Sequence, residues 1–440
     1  TDWLDIIALE NMHFIAENEK EATYLAINAG VDMSMTPLTT DFCRYLYELV
    51  QEKRISEERI NQSVRRILKL KLDLGLFENP YPRNDRFDRI GHPEHKKIAL
   101  DAARESIVLV KNTDKILPLE NIKKIVVTGS TADKRVALSG GWTYRFAPKT
   151  DYWFPKDMPT VYTALKKQLQ NTSVILSEAS KLKSTAADAQ AIIVVVGEEE
   201  GYAETDGTID DLDLSDKQLR EVQAAIATGK PVILVLTEGR PRLINKVADR
   251  CQAIVFAGLP GNEGATAIAE ILSGKVNPSG KMSFTYPWKS GHIIPYNYKR
   301  SEFSSFRPVP DSLLRFALIE FGQGLSYTDF IYSDLALSDT AISKNQSLTC
   351  TIKVTNNGSR IGKESVLWFV TDEFASITRP NKQLKYFEKQ EIAPGESKTY
   401  TFIINPEKDL WFPDHEGKKL LEEGYFTIKV GDQTARFKLI

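Results

Sequence analysis

Four short apolar runs, at residues 124–128, 191–196, 231–237 and 253–257, constrain this chain more than any other feature. Each is rich in β-branched residues, each is bounded by turn formers, and none alternates apolar with polar. A strand with one wet face alternates; a strand covered on both faces does not. The runs therefore predict a mostly parallel sheet sandwiched between helices, and stretches with helical patterning at 217–227 and 265–272 supply candidates for the covering layers. The pattern extends from about His92 to Pro287, opening with a segment at 95–110 that starts helical and ends apolar.

The flanking regions read differently. Residues 19–28 read as a helix ending at Gly30, 31–35 as a short strand, and 42–51 as a second helix. Ser56 followed by Glu57 and Glu58 is a cap with two acids in the first turn of a third helix. In that helix Ile60, Val64, Ile67 and Leu68 share one face, predicted to be buried. Residues 79–89, rich in Pro and Asp, read as a linker. Beyond 289–328, a Pro-, Ser- and aromatic-rich connector, period-two alternation takes over: Leu348, Cys350, Ile352 and Val354, then Val366, Trp368 and Val370. Runs at 400–404 and 425–430 continue it, and turn signals separate them. That predicts a small antiparallel β-sandwich of fibronectin type III or immunoglobulin-like kind.

Composition excludes several classes. With 57 basic and 59 acidic residues the formal net charge is -2, which gives no reason to expect nucleic acid or an anionic membrane as partner. No apolar run approaches the roughly 20 residues that span a bilayer. Three widely spaced cysteines, Cys43, Cys251 and Cys350, read as free buried thiols rather than as a disulfide or metal framework. No Gly-x-Ser-x-Gly elbow, His-Glu-x-x-His or Cys-x-x-Cys is present, and Thr128-Gly129-Ser130 lacks the further glycines of a dinucleotide loop. No cofactor and no metal are implied.

Several local stretches, taken in order, resemble glycoside hydrolase family 3 of the β-glucosidase and exo-β-glucanase type. Thr1-Asp2-Trp3 is similar to the motif that carries the family's nucleophile. Residues 29–35 resemble the eighth strand of its barrel, and 59–68 with Gly75-Leu76-Phe77 its last helix and exit. Residues 103–112 resemble the entry to the second domain, and 321–327 the connector into the third. The resemblance implies an α/β multidomain chain: the C-terminal remnant of a (β/α)8 barrel at 1–76, entered at the end of strand 7, then a linker at 77–95. An α/β sandwich domain at 96–288, a linker at 289–328 and a fibronectin type III-like domain at 329–440 follow. It also implies that most of the barrel lies upstream, that 1–76 is not stable alone, and that this polypeptide by itself is inactive. The family suggests secretion or a periplasmic location, and a homodimer is an open possibility.

The resemblance further implies a retaining exo-acting β-glycosidase, with β-xylosidase as the alternative within the family. Retention needs two carboxyl groups roughly 5–5.5 Å apart. Asp2 is implied as nucleophile, kept ionised by polar neighbours; read without the family it is a helix-capping Asp. The acid/base is expected on the loop that leaves the buried run at 191–196, because open α/β sheets present ligand groups at the carboxyl ends of their strands. Four carboxylates crowd there, and their repulsion is expected to raise at least one pKa. The family pattern carries over to Glu198, with Glu199 and Glu204 as alternatives; a merely solvated acidic loop is the plain reading. Trp3 and Trp142 are implied as a pair gripping the leaving-group-side sugar, and Met35 as lining the sugar pocket, against core packing for Trp142 and Met35. The rival from another class is a non-catalytic carbohydrate-binding or scaffold fragment.

Overall fold

The computed structural model describes residues 1–81, 84–204, 207–292, 294–299 and 317–440. Parts of the expected linker (82–83), acidic loop (205–206) and connector (293 and 300–316) lie outside the described residues. The chain divides into two compact units, Thr1–His92 and Pro93–Ile440.

The first unit carries helices α1 (Asp5–Asn11), α2 (Glu19–Asn28), α3 (Asp41–Gln51) and α4 (Glu57–Asp73). Their starts follow from local chemistry: the Asn18 side chain accepts from Glu21 N at the head of α2, and Ser56 from Arg59 N at the head of α4. Small apolar clusters hold them together, Ile6 with Ala22 and Ala26 in one and Ile27 with Leu49 and Ile55 in the other. Asp32 is tied to α4 by Ser63 (2.7 Å), Arg66 (3.0 Å) and Arg59 (3.4 Å), and the Ser63 bond, partly opposed by desolvation, leads these in holding its carboxyl below the usual range.

Two expectations fail here. Residues 31–35 form no regular strand; a single parallel bridge joins Trp3 to Met35. A strand needs backbone hydrogen-bonding neighbours, and among the described residues these come, beyond the turn that ends α2, from Thr1 and Leu4 alone. The face of α4 is not buried either: Val64 is 45% and Leu68 46% exposed, and Ser63 is the only buried residue of the helix. Periodicity identified the helix, but no described element covers that face.

The second unit opens with α5 (Pro93–Ser106), and a six-stranded sheet follows. Its strands are β1 (Val108–Asn112), β2 (Lys124–Thr128), β3 (Ser173–Leu176), β4 (Ala191–Gly197), β5 (Val232–Thr237) and β6 (Ala253–Gly258), in the order β1-β6-β5-β4-β2-β3. The four expected runs are its four central strands, mutually parallel. The two edges were not anticipated: β1 is antiparallel to β6, and β3 is too short to stand out. Alternate side chains fall into separate cores. Ile125, Val127, Ile193, Val195 and Val235 pack on one face; Val126, Ile192, Val194, Val196 and Leu234 pack on the other. Two cores, one per face, are why the runs are apolar throughout.

Helices α6 (Val161–Gln168), α7 (Leu182–Thr185), α8 (Asp216–Ala227) and α9 (Gly264–Leu272) complete the layers. The described end of the connector packs back against the rest of the second unit. Strand β8 (Ala317–Ile319) pairs with β7 (Tyr286–Pro287), and Leu325 N donates to Leu109 O at 2.7 Å.

The β-sandwich follows the period-two pattern. Strands β9 (Phe330–Leu337), β11 (Leu348–Asn356) and β14 (Ser397–Ile404) form one sheet. Strands β10 (Ala341–Ile342), β12 (Gly362–Asp372), β13 (Gln383–Ile392), β17 (Gly424–Val430) and β18 (Gln433–Leu439) form the other, and a small hairpin of β15 (Phe412–Pro413) with β16 (Lys419–Leu420) lies beside them. Leu348, Cys350, Ile352, Val354, Val366 and Trp368 all point into the shared core. Glu105 at the end of α5 accepts from Lys363 (2.5 Å), Lys389 and Ser279, tying the α/β layers to the sandwich. Two of the three thiols are buried as expected, Cys251 and Cys350, which desolvation pushes up to about 11 and about 12; Cys43 on α3 is exposed, contrary to expectation.

Candidate active site

The expected acidic loop leaves the carboxyl end of β4, in the middle of the sheet. Gly197 makes that exit possible. Its φ is +141°, and a Cβ there would lie 2.1 Å from Thr237 O on the neighbouring strand, so only glycine fits. Glu198 follows, 5% exposed, with Glu198 N donating to Thr237 O at 2.9 Å. Its Oε1 accepts from Arg240 Nε (2.6 Å) and Arg242 Nη2 (3.3 Å), and its Oε2 accepts from Gly239 N (2.9 Å). Both arginines also reach the loop beyond: Arg240 donates to Thr208 O (2.5 Å) and lies over the Tyr202 ring (4.2 Å), and Arg242 donates to Asp211 O (3.2 Å). Glu198 is thus the hub of a stapled loop.

Glu199 faces a different set. Burial pushes its carboxyl up, but Lys134 at 2.6 Å, Lys217 and Gln218 outweigh that and hold it below the ordinary range. At Glu199, then, crowding by neighbouring carboxylates does not dominate, because lysines are interleaved with the acids. Glu204 stands apart: it is exposed, and its backbone is left-handed with φ 49°. Glu198, Glu199, Glu200, Tyr202, Lys134 and Arg242 line a cavity of about 480 Å³.

Trp142 is presented to solvent, 71% exposed, which disposes of a core role. Its loop docks on the acidic loop: Gly141 N donates to Tyr202 O (3.1 Å), and a Cβ at Gly141 would meet Tyr202 O at 2.5 Å and Ala203 Cβ at 2.6 Å. Trp142 N donates to Phe146 O, and the Phe146 ring meets the indole edge-on at 4.9 Å. Trp142 (φ 61°), Tyr144 (φ 58°) and Glu204 all hold left-handed backbones, which cost energy for residues with a Cβ and gather at functional loops.

In the first unit, Asp2, Trp3 and Met35 are brought together. Asp2 Oδ1 accepts from Trp3 N (2.7 Å), Asp2 N donates to Asp5 Oδ2 (3.0 Å), and Leu4 N donates to Met35 O (2.9 Å). Asp2 does not cap α1, whose N-cap position is Leu4. Asp2, Trp3 and Met35 are all exposed within the chain, the last two by 58% and 44%, so Met35 is not a core residue.

The strongly raised carboxyl of this region belongs to Glu238, which sequence reasoning missed. It follows β5 as Glu198 follows β4, and that parallel was the available signal. Glu238 is 0% exposed, and burial pushes it up to about 8. Tyr286 Oη lies 2.6 Å from its Oε1.

Comparison with known proteins gives the order of domains along the chain. Residues 107–327 match the glycosyl hydrolase family 3 C-terminal domain, 1–70 the glycosyl hydrolase family 3 N-terminal domain, and 364–434 a fibronectin type III-like domain. A lysosomal β-glucosidase of Dictyostelium discoideum is 38% identical across 98% of this chain and 55% of its own length. A β-xylosidase of Formosa agariphila is 34% identical across 97% of the chain and 61% of its own length. The crystal structure of a β-glucosidase from Listeria innocua in complex with glucose superposes with a TM-score of 0.90 at 31% identity, covering 100% of this chain and 62% of that one. The chain thus spans somewhat over half the length of the relatives it matches.

Proposed function

Because the chain belongs to glycoside hydrolase family 3, we propose that the protein it represents is a retaining, exo-acting β-glycosidase, most simply a β-glucosidase. The observation that carries the reading is the loop after β4: a carboxylate-rich segment at the carboxyl edge of a buried sheet, with an exposed tryptophan loop docked on it. Similarity over nearly the whole chain to proteins named β-glucosidase, one solved with glucose, supports the sugar. The Formosa relative keeps β-xylosidase as the second reading.

In this reading residues 1–76 are the carboxyl-terminal end of a (β/α)8 barrel. The parallel bridge between Trp3 and Met35, with α1 and α2 between them in the chain, supports it. Asp2 attacks the anomeric carbon, and a carboxylic acid protonates the departing oxygen. The resulting carboxylate then deprotonates the water that releases the sugar from Asp2. Trp3, Met35 and Trp142 supply apolar faces for sugar rings.

Among the three candidates for the acid/base, the reading takes Glu204. A general acid must hand a proton to an outside oxygen, and Glu198 and Glu199 already accept from arginines, a backbone N–H and a lysine. Glu204 is exposed on a strained backbone in the same loop. Glu198 serves as the anchor that shapes the loop.

The test uses the complete protein and aryl β-glucosides. Asp2→Asn abolishes turnover, and a slow fluoroglycoside leaves its sugar on the Asp2 peptide. Glu204→Gln loses activity on a poor leaving group, keeps it on a good one, and forms glycosyl azide when azide is added. Azide rescue of Glu198→Gln but not of Glu204→Gln reverses the choice of acid. Turnover by Asp2→Asn equal to the native rate ends the reading, and activity only on xylosides selects the alternative.

A further inference from the structure

Tyr286 Oη lies between two oxygens, Glu238 Oε1 at 2.6 Å and the carbonyl oxygen of Arg242 at 2.5 Å. A hydroxyl has one proton and cannot donate to both. The Arg242 carbonyl has no proton to give, so the second one belongs to Glu238. The chain then runs in one direction: the Glu238 carboxylic acid donates to Tyr286, and Tyr286 donates to the Arg242 carbonyl. The other Glu238 oxygen agrees, since Oε2 is buried without a hydrogen-bond partner. A neutral acid tolerates an unpartnered carbonyl oxygen far better than a carboxylate tolerates an unpartnered charge.

We infer that Glu238 and Tyr286 are positioning residues for the acid/base loop: the proton between them locks the backbone at Arg242, and through it the guanidinium that grips Glu198. The inference rests on the reading of that loop as the source of the acid/base. The charged and titratable groups acting on Glu238 are few. Tyr286 and the Arg242 backbone act on it as hydrogen-bonding groups that favour the ionised form, Arg242 adds attraction, and Glu198 adds repulsion. Phe284 and Phe256 lie against the Tyr286 ring and bring no charge. Desolvation dominates and pushes Glu238 up to about 8. When Glu238 ionises, the single Tyr286 proton serves either it or the Arg242 carbonyl, and the strap on the loop loosens.

The experiment compares native protein, Glu238→Gln and Tyr286→Phe in the complete molecule. A glutamine still donates to Tyr286 but cannot ionise. Glu238→Gln should keep kcat at neutral pH within about twofold and lose the alkaline limb of the pH profile; Tyr286→Phe should lower kcat about tenfold with KM within about twofold. Infrared difference spectra at neutral pH should show the carbonyl stretch of a protonated acid in the native protein and not in Glu238→Gln. An unchanged alkaline limb in Glu238→Gln, or no protonated-acid band, overturns the inference. If the complete protein cleaves no β-glycoside, the proposed function fails while the infrared band still decides where the proton lies.

Discussion

Arg240 Nε lies 2.6 Å from Glu198 Oε1, and the two side chains are only 19% and 5% exposed. A buried ion pair is weak evidence for net stability, because desolvating both charges cancels much of their attraction. Its value here is positional: one guanidinium joins the end of β4, the Tyr202 ring and the backbone at Thr208.

Breaking that join has a one-sided cost. Arg240→Met leaves Glu198 buried with Arg242 and the Gly239 amide as its remaining donors. The variant should lose about 3 kcal/mol of stability, the lower end of what removing one partner of a buried pair costs. In the complete protein it should also lower the proposed glycosidase activity through disorder of the loop. Denaturant unfolding and kcat/KM check both parts, and a neutral variant would mean that the arginine does not order the loop.

Gly197→Ala should destabilise the second unit by about 2–3 kcal/mol, since the new methyl meets backbone that side-chain motion cannot clear. Gly229→Ala provides the control. Gly229 also has positive φ (+74°) but nothing within 4 Å of a Cβ, so it should cost about 1 kcal/mol from strain alone. The difference between the two unfolding free energies measures the packing part.

Trp142 is exposed, so Trp142→Ala should change stability by no more than about 0.5 kcal/mol. If the proposed function holds, its effect in the complete protein appears in recognition, as a KM for a β-linked disaccharide raised about tenfold. A large fall in melting temperature with an unchanged KM would make it a structural residue instead.

The raised Glu238 carboxyl predicts a slope of stability with pH. Its folded pKa of about 8 exceeds the ordinary carboxyl value of 4.5, so between those limits the native state holds a proton that the unfolded state releases. Stability then falls as pH rises through that window and levels off above it. Glu238→Gln removes the slope, and at pH 8 should melt on the order of 3 °C or more above native, having matched it near pH 4.5. Melting curves across that range test the sign.

Much of the architecture was legible because it is written in local patterns. The runs at 124–128, 191–196, 231–237 and 253–257 show one thing, burial on both faces, and they became the central strands. The cap at Ser56 and the alternation from Leu348 to Val354 are equally local. What failed concerned neighbours. Val64 and Leu68 have the spacing of a buried face, but burial needs a second surface, and 31–35 has strand composition without strands on both sides.

The site divides in the same way. The sequence by itself determined that carboxylates crowd a loop after a buried strand and that Trp142 lies in a glycine-rich turn, and its resemblance to the family singled out Asp2, Trp3, Trp142 and Met35. Only the tertiary structure decided which of those carboxylates are engaged. Arg240 and Arg242 come from the loop after the next strand and close on Glu198; Lys134 comes from beyond β2 and closes on Glu199. It also exposed Glu238, whose burial no local pattern announces. The reason is physical. Strand and helix patterns depend on residues two to four positions apart, whereas a carboxyl's protonation depends on what lies within a few ångströms, and those groups are 41–65 residues away in the chain.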